Sequence, residues 1–283
     1  MDDQETKQDV RKFYDQIGWQ KVSAGTYQNA QYEDLRPVSR KYIHKCHLRV
    51  NRYFKSTGKY LLDAGSGPIQ YPEYLTYSKG YQYRVCLDIS IIALKEARDR
   101  IRSGHGLFVV ADVANIPFKN ETFDGIVSLH TLHHLTVSDY VPAYENLKSV
   151  LKKNRTAVIV NGWDESVLMR WFNKPILIMK KFFNTLPPSS KQVKKNTGDI
   201  SKKPKGTFVH KLNAQGLRDL LGADFPISIC VWRSVSVRFL RAMIHPFLFG
   251  RIWLWILFGL EELFPTFFGE KGQYPLITFT KQL

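Results

Sequence analysis

A chain of 283 residues, 44% of them hydrophobic, can bury the core of one large α/β domain or of one domain with an elaborated cap. Three widely spaced cysteines (Cys46, Cys86 and Cys230) exclude a disulfide framework and a thiolate metal site, and point to a reducing compartment. The start, MDDQETKQDV, has no apolar core and does not read as a signal peptide, so a cytoplasmic location is expected; the net charge of +16 makes anionic partners the ones to weigh.

In chain order, aromatic residues come first: Phe13, Tyr14, Trp19, Tyr27, Tyr32 and Tyr42 all precede the first strand. They read either as packing against a sheet or as the wall of an apolar pocket. A helix is expected over Val38–Phe54, then strand Tyr60–Asp63, helix Pro72–Ser78, strand Tyr83–Asp88, helix Ile91–Ser103 and strand Leu107–Ala111. Strand Phe123–Leu129, helix Ser138–Lys152 and strand Thr156–Asn161 complete the alternation. The strands are short apolar runs, as expected where helices cover both sheet faces. Strands alternating with helices imply a doubly wound parallel sheet, whose ligands sit beyond the carboxyl ends of its strands.

Those ends carry a consistent polar set. Asp63 is followed by Gly65-Ser66-Gly67, where missing Cβ atoms free the backbone and let a ligand approach. The next strand ends in Asp88, placed to accept hydrogen bonds from two ribose hydroxyls, and the third brings Asp112 to the same cleft. Pro68 stands where a dinucleotide loop would continue toward a third glycine.

The stretches LLDAGSG, VCLDIS, VVADVANIPFKNETFDGIVSLHTLHHL and YENLKSVLKKN resemble the motifs of class I S-adenosylmethionine-dependent methyltransferases, within them the small-molecule and quinone-type branch. The resemblance implies a Rossmann-like, mostly parallel seven-stranded sheet with an antiparallel last strand, here FGEKGQYPLITFTKQL. It implies that Asp63, Ala64, Gly65, Ser66 and Gly67 form the loop around the cofactor's methionine part. Asp88 with Ile89 would hold the ribose, Asp112 and Val113 would border the adenine, and His130 would lie at the sulfonium end beside the substrate. It also implies an N-terminal cap on the substrate side, with Tyr14, Trp19, Tyr27 and Tyr32 as candidate acceptor contacts. S-adenosylmethionine has no phosphate, so the third glycine of a dinucleotide loop is dispensable.

Methyl transfer from a sulfonium needs alignment above all, and positioning supplies about 7–11 kcal/mol. A base is needed only where the acceptor holds its proton tightly, and His130 or His133 in SLHTLHHL are the candidates. Adjacent His133 and His134 are expected to point apart, so that only one of them faces the substrate.

Beyond Gly162, an amphipathic helix is expected from about Asp164, then a helix capped by Asn213 and a strand in FPISICVWRSVSV. Between Lys174 and Lys211 stand ten lysines and one acid, Asp199, in a stretch read as a solvated loop or as an electrostatic contact. The segment near 239–268 is apolar, but its longest uncharged run between Arg251 and Glu261 is nine residues, too short to span a bilayer. It is read as packed over or within the fold, as a homodimer surface, or as lying on an anionic membrane interface.

The expectation is thus a helical cap over residues 1–57 and a methyltransferase domain over 58–283, with a basic insertion near 184–207. The acceptor is expected to be a small molecule, anionic or lipid-linked, methylated on oxygen, with no metal. Alternatives are an RNA-modifying enzyme, disfavoured because no aromatic stacking motif accompanies the lysines, and a catalytically silent module that binds the cofactor.

Overall fold

The computed structural model describes residues 3–19, 21–23, 26–27, 33–54, 57–164, 166–185, 208–209 and 212–282. Helix α1 (Asp3–Phe13) runs into a π-helical turn (Tyr14–Gly18) and a small hairpin, β1 (Lys21–Ser23) and β2 (Thr26–Tyr27); α2 (Arg40–Leu48) continues as a 3-10 turn to Tyr53. The main sheet then begins with β3 (Gly58–Ala64), β4 (Tyr81–Asp88), β5 (Gly106–Val110), β6 (Gly125–Leu129) and β7 (Thr156–Val160). Between them lie a 3-10 helix (Pro72–Ser78), α3 (Ile91–Arg100) and α4 (Val137–Val150). The second half holds α5 (Val167–Thr185), α6 (Ala214–Leu221), β8 (Ser228–Arg233), α7 (Val237–Met243), α8 (Gly250–Leu263), α9 (Pro265–Lys271) and β9 (Tyr274–Thr280). The lysine-rich run 186–207, Tyr32 and the side chain of Tyr27 lie outside the described residues.

The seven strands are ordered β5-β4-β3-β6-β7-β9-β8. β9 runs antiparallel to both β7 and β8, and the other adjacent pairs are parallel. Strand order reverses between β3 and β6, the place where such a sheet opens a ligand cleft. β3 shows why its run is continuously apolar: Leu62 and Ala64 enter one core with α4, while Leu61 enters the core on the opposite face with Cys86 and Val127. Asn213 caps α6 as expected, its side chain accepting from Gly216 N at 2.8 Å.

A third cluster joins α2, α5, α7 and α8 through Ile43, Met169, Leu240 and Leu254. α8 is pinned by the fully buried Glu261, which accepts from Tyr42 Oη (2.7 Å), Arg49 Nη1 (2.9 Å), Ser234 N (2.8 Å) and Ser234 Oγ (2.6 Å). That pin excludes the reading in which the aromatic helix is buried: Trp253 is 60% and Trp255 71% exposed. No single helix among the described residues is long and apolar enough to cross a membrane. α8 and α9 reach that composition only together, bent by 105°.

Candidate active site

A cavity of about 560 Å³ opens at the carboxyl ends of the central strands. Its cofactor half is built from the turn after β3. Gly65 and Gly67 have φ of +73° and +55°, and a Cβ on Gly65 would meet the Thr131 side chain at 2.2 Å. The turn is not the N-terminus of a helix, because residues 68–71 intervene before the 3-10 helix. Pro68 adds no N–H, so the cradle lacks the amide array a pyrophosphate uses and suits a phosphate-free ligand. Asp88 closes the cradle: its carboxylate accepts from Gly67 N and Ser90 N, both at 2.8 Å, and lines the cavity. Two amide bonds leave lone pairs on Asp88 for two ribose hydroxyls. The residues therefore fit S-adenosylmethionine. Ile89, Asp112 and Val113 line the same half.

Asp63 is placed differently from its expected role. It borders the cavity, but its carboxylate is taken by the buried Arg84, which donates to it through Nε at 3.0 Å and through Nη2. Asp63 is a support beneath the glycine turn. The signal in the sequence was a lone arginine inside the apolar strand QYRVCLD.

The N-terminal aromatics also require a correction. Tyr14 and Trp19 stack on each other (5.1 Å, 25°), and the Trp19 ring stands 3.1 Å from where a Gly67 Cβ would lie. They close the cofactor side of the cleft, not the acceptor side. The reason is the anchoring of α1. Lys7 Nζ bridges Asp112 (2.8 Å) and Asp139 (3.0 Å), and Asp15 accepts from Ser90 Oγ at the start of α3.

The acceptor half lies between His130, Arg233, Glu33, Tyr71 and Tyr274. His130 adopts φ +54° at the end of β6, an unfavourable conformation for a residue with a Cβ, held by its N–H donating to Val160 O at 2.7 Å. Its ring meets Trp232 (5.0 Å) and Tyr274 (5.7 Å) edge-on. Burial, reinforced by the nearby Arg233, lowers it to about 3, so it is a neutral imidazole at physiological pH. Such a group can orient an acceptor but holds an abstracted proton poorly, which counts against the expected general base.

Both neighbouring histidines line the cavity, against the expectation that only one would. Leu132–His134 is a 3-10 turn, and the His133 and His134 rings lie 4.2 Å apart. His134 Nδ1 donates to Phe208 O (2.7 Å), so its Nε2 accepts from Tyr14 Oη (2.7 Å). His133 Nδ1 faces Asn161 Oδ1 at 3.4 Å, and burial holds its basicity well below the usual range.

Arg233, 1% exposed, is the residue whose role sequence reasoning missed. It donates to Glu33 through Nη1 and lies over the Tyr274 ring at 4.5 Å. Its Nε makes no hydrogen bond among the described residues. An arginine within the apolar strand ICVWRSV was the legible sign.

Burial raises Asp88 to about 6 against the pull of the Ser90 and Gly67 amides. A ligand that donates to the carboxylate favours its charged form, so cofactor binding should release a proton near pH 6. Affinity is expected to rise between about pH 5 and pH 7 and then level off. Asp88→Asn should bind weakly with a flat profile. Titration calorimetry in two buffers of different ionisation enthalpy measures this, and a pH-independent wild-type affinity overturns it.

Residues 62–159 match the family model described as a methyltransferase domain. A tRNA (carboxymethyluridine(34)-5-O)-methyltransferase of Arabidopsis thaliana is 27% identical over 157 residues, 47% of this chain; the match spans only 37% of that relative's length. Among solved structures, a Methanosarcina mazei protein described as a SAM-dependent methyltransferase superposes with a TM-score of 0.52 at 19% identity, covering 89% of this chain and 100% of that one. A Haemonchus contortus phosphoethanolamine N-methyltransferase 2 in complex with S-adenosyl-L-methionine gives 0.54 at 13% identity, covering 96% and 60%. These two likenesses speak to the fold alone. Residues 62–159 thus carry a methyltransferase domain, and the chain has the fold of the class I S-adenosylmethionine-dependent methyltransferases.

Proposed function

We propose that the chain methylates a small anionic acceptor on oxygen. The observation that carries this reading is the buried Arg233 in the acceptor half, with its Nε unbonded and beside the neutral His130. When bound, the cofactor supplies a sulfonium methyl group whose leaving group is already activated by its charge. Arg233 would hold the acceptor's anionic group, and neutral His130 would donate its ring N–H to the already ionised nucleophilic oxygen, aiming that oxygen's free lone pair along the line of transfer. Because neutral His130 is a weak base, the acceptor's nucleophile is an acidic hydroxyl or carboxyl group that loses its proton to solvent before binding, so the O–CH3 bond forms as the C–S bond breaks with no proton left to place. Tyr71, Tyr274 and Trp163 exclude water from that half.

Methyl-labelled S-adenosylmethionine with fractionated extract tests this. Label in a small, anion-exchange-retained product that resists ribonuclease supports the reading. Ribonuclease-sensitive label supports RNA instead, the second reading, favoured by the Arabidopsis relative. Cofactor binding with no incorporation in any fraction overturns both and leaves a silent module.

A further inference from the structure

The third hydrophobic cluster leaves two helices with outer faces that a water-facing surface does not explain. α8 buries Leu254 and Glu261 and turns the opposite arc outward. That arc carries Ile252, Trp253, Ile256, Leu260 and Leu263, at steps of one, three or four that align them along one helix face. A surface helix normally puts its polar side there. Rotation cannot relieve the exposure, because Glu261 is bonded to Arg49 and Ser234 and fixes which side faces the core.

α5 completes the pattern with charge. It buries Met169 in the same cluster as Leu254, and also buries Ile176. Its outward stripe interleaves exposed Arg170, Lys174 and Lys181 with Trp171, Leu177 and Ile178, and the helix holds no acid. The two acids of α8 are already engaged, Glu261 by Arg49 and Glu262 by Arg49 and Arg52. Lys174 and Lys181 form no ion pair among the described residues, so this face carries positive charge that nothing there neutralises.

We propose that α5 and α8 form a docking surface for an anionic phospholipid bilayer, lying in the interface without crossing it. A protein partner is the poorer fit. Cations spaced between tryptophan and leucine would enter the centre of such an interface, which is depleted of charge, and would need buried partners. At a lipid surface the same side chains extend to the headgroups while the apolar ones enter the acyl boundary. Exposed Trp171 and Trp253 suit that depth. This surface stands whether or not the acceptor reading is right, because it involves none of the cavity residues.

Co-sedimentation with phosphatidylcholine vesicles, with and without phosphatidylglycerol, tests it independently of methyl transfer. Expected is binding to the phosphatidylglycerol vesicles that weakens with salt, with a blue shift of tryptophan emission. Lys174→Glu with Lys181→Glu should lower partitioning by about tenfold or more. Ile252→Glu with Ile256→Glu should abolish the emission shift. These side chains are exposed, so thermal melting should be unchanged; if the α8 variant does not fold, the α5 variant and the salt series decide. No binding to either vesicle overturns the proposal. So does a concentration-dependent dimer that the α8 variant disrupts, since a second copy would then cover the face.

Discussion

Gly65→Val is expected to lower S-adenosylmethionine affinity by at least about a hundredfold, near 2.7 kcal/mol, in a chain that still folds. Two effects act together. The valine would take a φ of +73°, costly for a branched side chain, and its first added atom would stand 2.2 Å from Thr131. Thr131 Oγ1 donates to Gly65 O at 3.1 Å, so moving it also releases the turn. Gly104→Ala separates the two effects, because Gly104 has φ +77° with nothing within 4 Å of its built Cβ. It should lose only about 1–2 kcal/mol of stability and keep full affinity. Calorimetry on both variants, with circular dichroism to confirm folding, is the measurement. If Gly65→Val does not fold, Gly65→Ala carries the same first atom and the same expectation. Affinity within threefold of wild type would remove the glycine turn from the cofactor site.

Arg233→Met is expected to cost about 3–5 kcal/mol of stability at neutral pH, because it removes the guanidinium that neutralises the buried Glu33 carboxylate. Burial alone would push Glu33 up, yet Arg233 and His47 hold it at about 2. The sign of the pH dependence then reverses. In the wild type, the folded value lies below the unfolded one, so the pair's stabilisation is present at neutral pH and lost as pH falls toward 2. In Arg233→Met the carboxyl group rises above its unfolded value, so the variant should recover part of its deficit on acidification. Adding Glu33→Leu should restore most of the stability without restoring turnover, which separates the structural role of the pair from the acceptor contact. Denaturant melts at two pH values decide it; a loss under about 1 kcal/mol, the same at both, would remove the pair from the core energetics.

Local sequence determined the parallel half of the sheet, the glycine turn and Asp88. Each is a feature of neighbouring residues: apolar runs that must be covered on both faces, and a turn whose φ values only glycine adopts easily. Asn213 as a cap belongs to the same class, since its partner amide is three residues away. Tertiary structure decided everything that depends on distant pairs. Glu33 meets Arg233 across 200 residues and Arg49 meets Glu261 across 212, and no periodicity encodes either meeting. The chain start lies over the glycine turn's side of the cleft because Lys7 finds Asp112 and Asp139, a match of charges visible only once β5 and α4 are side by side. The histidines turned out neutral because folding dehydrates them beside Arg233 and one another, and α8 faces outward because one buried glutamate fixes its rotation. Desolvation and long-range ion pairing are properties of the packed chain, so residue type alone could name the candidates but not assign their roles.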